Sequence, residues 1–517
     1  MKWKKTREAT VAEDLPRFSP WCNRPGACPP GRWLGNKVLG GWGGFGRGCL
    51  WAGLAVLLLP GCLSRVEGPP LTREEFWGYE RALYHYNSAM RVWPENAILW
   101  QNRGMVYYKL GETDKALADL AMALSLNPAL PQPHQIRGLI LGRRGETKKA
   151  FEEFSAAVNT DPFYGLGYLN RGYLHSLARR YPQALEDYNK AIRLLPGIAV
   201  TYNNRGYALS MLGRYEEALR DLDQAIEMAP NMAVAYHNRG YALTRLKQYP
   251  EALADFETAL TLDPSMGQVY GSRGLAYSKM GNYPQALADY SIALERDKNN
   301  PQTHFLVGET FQMMERYVES IQHYDGALQL DPDFLEAHNN RGVVYLNTGH
   351  FDLALKDFNR VLQDRPGESP VRFNRVKALM GEERFPEAEE DLTDMVSKEP
   401  DNPEILYQRG VARLAQKKLW PAIEDFDRVL KLDPRHGDAG YQRALAFAAL
   451  KEPPLALDNL NRVLEQNPDN PRANYQRGWL LWNQGDPSGA CRDWRRACGL
   501  KELGGCVRVS RVCPPAR

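Results

Sequence analysis

The sequence predicts an all-α solenoid in which helical hairpins of constant length stack end to end. Three observations predict it. A unit of 34 residues repeats twelve times over residues 97–504 without an insertion or deletion. Apolar residues recur at helical spacing in both halves of a unit, and a glycine-containing turn separates the halves. All eight cysteines lie outside residues 63–490, which excludes a disulfide-built fold or a cysteine-ligated metal core for the body.

Small residues and proline occupy constant positions of the unit, counted from Ala97. Position 8 is Gly in ten units, position 20 is Ala in eleven, and position 32 is Pro in ten. Gly and Ala lack side-chain bulk, so two helices can cross closely where they meet. Proline cannot continue a helix interior, so it marks the end of a unit. Because one hairpin cannot bury its apolar face alone, neighbouring hairpins must stack.

Helix boundaries follow from the same periodicity. In the fourth unit, Tyr202–Met211 and Tyr215–Met228 are the predicted helices, and Gly213 lies in the turn between them. Before the array, Thr72–Trp93 is predicted to form an N-terminal capping helix. An aromatic residue at position 24 is predicted to fill the space between units. Examples are Phe154, Tyr188, Phe256, Tyr290, Phe358 and Phe426.

With Gly at position 8, Ala at 20, an aromatic at 24, Ala at 27 and Pro at 32, the unit resembles the tetratricopeptide repeat (TPR) family. The resemblance covers about four fifths of the chain. It implies a right-handed superhelix of about twelve helix-turn-helix units, whose concave groove is lined mainly by first helices and binds peptides or protein partners. The sequence departs from the family pattern after Trp100 at position 4, and at position 7, where Arg replaces the common Leu.

Charge is divided unevenly along the chain. The 65 basic and 62 acidic residues give a net charge of +3. Residues 1–70 carry +6 and residues 491–517 carry +5, so the remaining body carries −8. This balance argues against a basic nucleic-acid-binding body, and we expect no nucleic-acid partner. The 44% hydrophobic and 25% charged content also excludes wholesale disorder and a polytopic membrane protein.

Position 7 is Arg in eleven units, and position 23 is an acid in ten. This pattern predicts an ion pair between the two helices of a unit. The unit that lacks the arginine, with Val307, also lacks the acid and has His323. Arg443 faces Asn459 instead of an acid. A ligand-binding role for the arginine row is the alternative. The pairs singled out as structural are Arg205–Asp221 and Arg239–Asp255.

Carboxamides occupy position 6 in nine units, and they can both donate to and accept from an extended peptide backbone. Tyrosines at position 9 lie three residues further on, on the same helix face. The predicted partner-binding groove comprises Asn170, Asn204, Asn238, Tyr173, Tyr207 and Tyr241. Two alternatives stay open: the asparagines bond within or between helices, or the tyrosines pack between repeats.

One known binding mode is excluded by residue identity. TPR domains that clamp a C-terminal carboxylate resemble one another in placing Lys at position 5 and Asn at position 9. No unit of this sequence has Lys at position 5 or Asn at position 9. We therefore expect a groove with different polar contacts.

The segment 49–62 predicts export and lipid attachment. Its apolar run Leu50–Leu59 is too short to span a bilayer, which takes about 20 residues, and it fits a signal h-region. The following Leu59-Pro60-Gly61-Cys62 resembles the bacterial lipobox, with Cys62 as the lipidation site and Pro60 as a departure from the usual small residue. The alternative is a disordered tail with a chance apolar run.

The C-terminal cysteines predict a staple at the end of the array. Cys491 and Cys498 are seven residues apart, about 10.5 Å along a helix, which is too far for a disulfide between them. Each could reach Cys506 or Cys513 on a returning segment. We expect no metal site here, because there is no Cys-x-x-Cys spacing and no nearby histidine.

These observations predict a non-catalytic scaffold that binds protein or peptide partners, lipid-anchored at the bacterial cell envelope and facing the periplasm. The alternative is a soluble cytoplasmic TPR adaptor without an anchor. We expect no cofactor, metal, small-molecule substrate or enzymatic activity, since no catalytic arrangement can be singled out. The predicted regions are a disordered or mis-assigned extension (1–48), the signal and lipobox-like segment (49–62), a linker with the capping helix (63–96), the TPR array (97–504) and a basic cysteine-containing tail (505–517).

Overall fold

The computed structural model describes residues 73–514, so the predictions for the extension, the signal segment and Cys62 lie outside the described residues. The described chain forms 26 helices and no strand. A capping helix, α1 (Arg73–Val92), precedes twelve hairpins, and α26 (Leu503–Val512) follows them. The hairpins, units 1 to 12 in chain order, are α2 (Ala97–Lys109) and α3 (Thr113–Leu126), α4 (Pro131–Arg143) and α5 (Thr147–Thr160), α6 (Gly165–Leu177) and α7 (Tyr181–Leu194), α8 (Ala199–Met211) and α9 (Tyr215–Met228), α10 (Ala233–Arg245) and α11 (Tyr249–Leu262), α12 (Gly267–Lys279) and α13 (Tyr283–Arg296), α14 (Pro301–Met313) and α15 (Tyr317–Leu330), α16 (Leu335–Asn347) and α17 (Phe351–Asp364), α18 (Ser369–Gly381) and α19 (Phe385–Lys398), α20 (Pro403–Ala415) and α21 (Leu419–Leu432), α22 (Gly437–Ala449) and α23 (Pro453–Gln466), α24 (Pro471–Asn483) and α25 (Pro487–Gly499).

The all-α superhelical solenoid of twelve 34-residue hairpins is confirmed. Each helix packs against the next along the chain, and most first helices also approach the first helix of the following unit. Second helices of neighbouring units do not approach each other to the same extent. A stack whose members lie closer together on one side curves toward that side, so the first helices line the concave face.

Every hairpin turns through one left-handed residue at position 15. Glycine supplies it in six units, including Gly213 with φ 76°. The other six units place a charged residue in the same conformation, including Arg179 with φ 56° and Lys247 with φ 64°. Glycine adopts this conformation without steric strain, whereas a residue with a Cβ does not. The repeat therefore keeps the turn geometry even where it lacks the favoured residue.

The glycine at position 8 lies against the large side chain at position 24 of its own unit. A Cβ on Gly240 would come within 2.7 Å of the Phe256 ring, and one on Gly274 within 2.7 Å of the Tyr290 ring. Both rings are fully buried. The aromatic at position 24 therefore packs inside its own hairpin, and the prediction that it fills the space between units misses this contact. The missing Cβ is what allows the two helices to close over the ring.

The arginine at position 7 joins three helices. In nine units its Nε and Nη2 both donate to the aspartate at position 23 of the same unit. Arg205 meets Asp221 at 2.6 Å through both nitrogens, and Arg239 meets Asp255 at 2.7–2.8 Å. In seven units Nη1 also bonds a carboxyl or amide oxygen on the preceding helical layer; from Arg205 it reaches Asn189 at 2.7 Å.

The other three units depart from this arrangement. In unit 2, Arg137 pairs through Nη2 with Glu153 at 2.8 Å. Arg443 donates Nε to Asn459 at 2.7 Å, so one of the two intra-unit bonds remains. In unit 7, which has Val307, the ring of His323 stacks on Phe311 with centroids 5.5 Å apart. An aromatic contact therefore takes the place of the ion pair in that unit.

Both ends of the array are covered by an extra helix. At the start, Asn87 of α1 accepts a 2.7 Å bond from Arg103 of unit 1, so α1 acts as a preceding second helix. At the end, α26 packs on α25 and is tied to it by two disulfides, Cys491–Cys513 and Cys498–Cys506. The helix α26 begins at Leu503, so the predicted boundary between array and tail at residue 504 falls inside a helix. Among the described helices, none is both long enough and apolar enough to cross a bilayer.

Replacing Gly274 by Ala should destabilise the array by about 1–3 kcal/mol, because the new methyl group would overlap the Tyr290 ring. Gly271 of the same helix is the matched control, since a Cβ there meets no atom within 4 Å. Gly271→Ala should be neutral or stabilising by up to about 1 kcal/mol through helix propensity. Thermal and urea unfolding followed by circular dichroism measures both. Equal effects of the two substitutions would contradict the close-approach role of position 8.

The variant Asp221→Asn should lower the free energy of unfolding by about 1–3 kcal/mol, because it removes the charge that accepts both Arg205 bonds. Glu217→Gln in the same helix is the control. Glu217 also accepts two bonds from an arginine, Arg214, but this pair is exposed to solvent and screened. Its unfolding midpoint should be nearly unchanged. A stable Asp221→Asn variant that loses its partners would instead support a ligand role for the arginine row.

Candidate partner-binding site

The six predicted groove residues lie on the first helices of units 3, 4 and 5, and they differ in exposure. The asparagines are buried, with exposed fractions of 1% for Asn170, 4% for Asn204 and 6% for Asn238. Tyr173 is also buried, whereas Tyr207 and Tyr241 are half-buried. The amides therefore form a layer beneath the surface, and the two tyrosines of units 4 and 5 lie above it.

Three buried asparagine side chains, Asn238, Asn203 and Asn204, are linked by hydrogen bonds that all run in one direction. Asn238 Nδ2 donates to Asn203 Oδ1 at 2.9 Å, and Asn203 Nδ2 donates to Asn204 Oδ1 at 3.0 Å. The oxygen of Asn204 is thus used, while its Nδ2 is buried and has no acceptor among the described residues. Asn170 Nδ2 is in the same condition. Asn170 and Asn204 therefore each have a buried amide donor, Nδ2, without a partner among the described residues. A buried donor without a partner costs about 1–3 kcal/mol.

A pocket lies between units 3 and 4, beside the end of this amide chain. Its volume is about 140 Å³. Its lining comes from α6 and the following turn, from α7 and from α8. The lining residues are Tyr173, Ser176, Leu177, Arg179, Tyr181, Tyr188, Asn204 and Tyr207.

Hydroxyl groups dominate the polar lining of the pocket. Ser176 Oγ and the Tyr188 hydroxyl are 3.1 Å apart. The rings of Tyr181 and Tyr207 meet edge to face, with centroids 6.3 Å apart. Burial, followed by the nearby Tyr181, raises the pKa of Tyr207 to about 12. The Tyr207 hydroxyl therefore remains protonated, and able to donate, throughout the physiological pH range.

The pocket lining carries one cation and no carboxylate. Arg179 is exposed and forms no ion pair with any described residue. Asp187 of α7 is occupied by Arg171, which donates to both of its oxygens at 2.7–2.8 Å. The pocket lining is therefore rich in hydroxyl and amide groups, with one cation and no carboxylate.

The structure brings together part of the predicted groove and adds residues that the spacing did not indicate. Tyr173, Asn204 and Tyr207 meet at the pocket, and Asn238 joins them through the amide chain. Tyr241 instead receives a 3.4 Å contact from Arg245 of its own helix. The residues added are Asn203, Ser176, Arg179, Tyr181 and Tyr188. The adjacent pair of asparagines in unit 4 recurs in unit 8 as Asn339 and Asn340, and this was the one sequence signal that could have indicated Asn203.

No arrangement of a metal site is found in the part of the chain that the structure describes: it contains no group of three or more His, Cys, Asp or Glu residues placed to hold an ion. His304 and His323 lie side by side, with ring centroids 5.7 Å apart and an unpaired Nδ1 on each ring. Two ligands do not complete a zinc site, which takes at least three protein ligands.

Comparison with known proteins gives matches along most of the array. Models described as tetratricopeptide repeat match residues 97–130, 165–231, 197–265, 267–300, 335–368, 373–437, 422–471 and 441–498, and one described as TPR repeat matches residues 314–349. Tetratricopeptide repeat protein 28 of Homo sapiens is 35% identical over an alignment of 79 residues, and the match covers 13% of this chain and 3% of that protein. The chain thus spans a small fraction of the length of this curated relative.

Solved structures with a similar fold include the APC/C hetero-tetramer Cut9–Hcn1, with a TM-score of 0.42, 15% identity and coverage of 85% of this chain and 96% of that one. A thermophilic TPR protein of Thermus thermophilus has a TM-score of 0.34, 21% identity and coverage of 35% and 99%. The repeat models together match more than half of the sequence. This chain therefore belongs to the tetratricopeptide repeat family.

Proposed function

We propose that this protein is a non-catalytic scaffold that binds extended peptide segments of partner proteins on the first-helix face of units 3 to 5. Protein–protein interaction is the function that the TPR fold suggests in general. The proposal narrows it to one part of the array. The observation that supports this choice is the pair of buried, unpaired amide donors at Asn170 and Asn204.

A peptide backbone supplies what these donors lack. Its carbonyl groups are acceptors at regular intervals, and they are present whatever the side chains are. The half-buried Tyr207 and Tyr241 add aromatic area with a polar tip, which suits a surface that is covered by a partner. Together these groups favour an extended segment over a folded surface as the bound element.

The triple variant Asn170→Ala, Asn204→Ala, Asn238→Ala should lose its partners while the array stays helical. The readout is cross-linked pull-down followed by quantitative mass spectrometry. The matched control is Asn102→Ala, Asn340→Ala, Asn374→Ala, which removes three carboxamides from the same unit position outside the predicted groove. Proteins captured by the wild type should be lost from the groove variant and kept by the control.

Two outcomes would decide against this location. If both triple variants capture the same partners as the wild type, the groove of units 3 to 5 is not the binding surface. If both triple variants lose the partners equally, the carboxamides contribute to the folding stability of the array and not to a specific contact with a partner. Circular dichroism of each variant separates the second outcome from loss of a specific contact.

We also propose that the scaffold is held at the bacterial cell envelope by a lipid on Cys62, with the array facing the periplasm. The support is the sequence of residues 49–62, an apolar run followed by a lipobox-like Leu59-Pro60-Gly61-Cys62. The apolar run has the length of a signal h-region. The second candidate, a soluble cytoplasmic adaptor, keeps the same groove without the anchor.

Bacteria grown with an alkyne-tagged fatty acid should incorporate the tag into the wild-type chain and not into Cys62→Ala. Cys49→Ala is the matched control, because this cysteine lies at the other end of the apolar run. The wild type and the control should sediment with membranes, and Cys62→Ala should shift toward the soluble fraction. A tag that persists on Cys62→Ala, or an untagged wild-type chain in the soluble fraction, would favour the cytoplasmic adaptor.

A further inference from the structure

We infer that the outward side of the capping helix α1 docks on the surface of the membrane to which the lipid on Cys62 is attached. The inference rests on the proposed anchor. It goes further, because it assigns a lipid-binding surface to the folded array and gives the array an orientation. Three features of α1 lead to it: the position of its outward side, the composition of that side, and its distance along the chain from Cys62.

One side of α1 packs on unit 1, and the opposite side faces away from the array. On the packed side, Ala82, Tyr86 and Met90 are partly or fully buried. The opposite side consists of residues spaced three or four apart, which places them in one arc of the helix. These exposed residues, here named the outward face, are Trp77, Arg81, Tyr84, Ser88 and Arg91.

Large aromatic side chains stand in solvent on and beside the outward face. Tyr84 is 70% exposed and Trp77 is 56% exposed, and Trp93, just after the end of α1, is 57% exposed. A cluster of large apolar side chains left in water indicates an interaction site. Tryptophan and tyrosine combine an apolar ring with a polar tip, and they are enriched where the hydrocarbon core of a membrane meets its headgroups.

The charge of the outward face favours an anionic surface. Arg81 and Arg91 are exposed and form no ion pair with a described residue; Arg81 donates Nε to the Trp77 carbonyl oxygen at 3.4 Å. No acid occupies the face, and Glu80 lies at its edge. Phospholipid headgroups carry phosphate, which a guanidinium binds through its planar fork. The face therefore presents rings for the membrane interface together with arginines for the phosphates.

The proposed anchor brings the outward face within reach of the bilayer. Residues 63–72 separate Cys62 from Arg73, the first residue of α1. Even a fully extended chain between Cys62 and Arg73 spans at most about 40 Å. A short tether of this kind raises the effective concentration of α1 at the membrane, so individually weak contacts are enough to dock it.

A second copy of the chain is a poorer occupant of the outward face. Two copies that met through the same face, as in a two-fold dimer, would bring Arg81 and Arg91 of one copy against those of the other. Like charges that face each other oppose association. A membrane with anionic lipids instead offers a partner to both arginines.

Docking through the outward face orients the array. Because the packed side and the outward face are opposite sides of α1, the membrane and unit 1 lie on opposite sides of this helix. The stack of hairpins therefore extends away from the bilayer, and the disulfide-tied α26 is at its far end. The first-helix face of units 3 to 5 stays accessible to partners.

The test is photo-cross-linking of the lipidated full chain with p-benzoylphenylalanine in place of Tyr84. The matched control carries this residue in place of Trp420, which is 60% exposed and lies on α21 of unit 10. Each chain is reconstituted into vesicles of phosphatidylethanolamine and phosphatidylglycerol and irradiated, and lipid adducts are quantified by mass spectrometry. The yield at the Tyr84 position should be at least tenfold higher than at the Trp420 position.

The contribution of the aromatic side chains is measured with the photoreactive residue in place of Ser88. The double variant Trp77→Ser, Tyr84→Ser should lower the yield of lipid adducts at this position at least fivefold. The control Phe163→Ser, Trp420→Ser removes two exposed aromatics elsewhere and should leave the yield unchanged. All four residues are exposed, so circular dichroism should show the same helix content in every variant.

The contribution of charge is measured by changing the lipid. In vesicles of phosphatidylcholine alone, which carry no net charge, the yield at the Ser88 position should fall at least threefold. This difference between the two lipid compositions should disappear in the double variant Arg81→Gln, Arg91→Gln. An unchanged difference in that variant would contradict the role of the arginines.

The outcomes separate this inference from the proposed function. A chain that carries lipid on Cys62 but shows no excess of lipid adducts at the Tyr84 position would overturn the docking surface and leave the anchor in place. Adducts that join this position to a second copy, or to residues 1–72, would also overturn it, because the occupant would then be protein. A chain that acquires no lipid contradicts the anchor, and the docking surface is contradicted with it because no tether would hold α1 at the membrane.

Discussion

The arginine at position 7 is the interaction on which the array depends, because it acts within a unit and between units with one side chain. Its planar guanidinium presents two parallel donors to an aspartate of its own hairpin, which fixes the crossing of the two helices. The remaining nitrogen reaches the preceding layer in seven units. A lysine lacks this planar fork, because its three donors sit on one nitrogen and cannot present two parallel bonds to a carboxylate. Hydrogen bonding to Asp221 raises the pKa of Arg205, so the contact keeps its charge.

The same arginine accounts for the unusual residue at position 4. In five units its guanidinium lies over an aromatic ring one turn earlier, as Arg103 does over Trp100 at 4.9 Å and Arg239 over Tyr236 at 5.5 Å. The ring covers the apolar side of the guanidinium, while the aspartate satisfies its edge. Tyrosine serves this purpose as tryptophan does. In units 3 to 6 the replacement of Trp by Tyr therefore keeps this contact.

The candidate site lies on the same helices, on a different side. Positions 7 and 8 face the second helix of the hairpin, so they hold the fold. Position 9 of unit 3 and positions 5, 6 and 9 of unit 4 meet at the pocket and the amide chain. In seven units the arginine links its first helix to the preceding second helix. In units 4 and 5 the neighbouring first helices also approach each other. This approach allows Asn238 to reach Asn203 of the preceding unit at 2.9 Å.

The sequence by itself determined the unit length, the turn between the two helices of a unit, the close approach at Gly240 and its equivalents, and the partners Arg205 and Asp221. These features depend on spacing within one unit, and a repeat of 34 residues displays that spacing twelve times. Only the tertiary structure decided the packing of the position-24 ring inside its own hairpin, the burial of Asn170, the part played by Arg179 and the choice of Cys513 for Cys491. Each of these depends on how one helix is rotated against another. That rotation is set by the shapes of many packed side chains together, and no spacing along the chain encodes it.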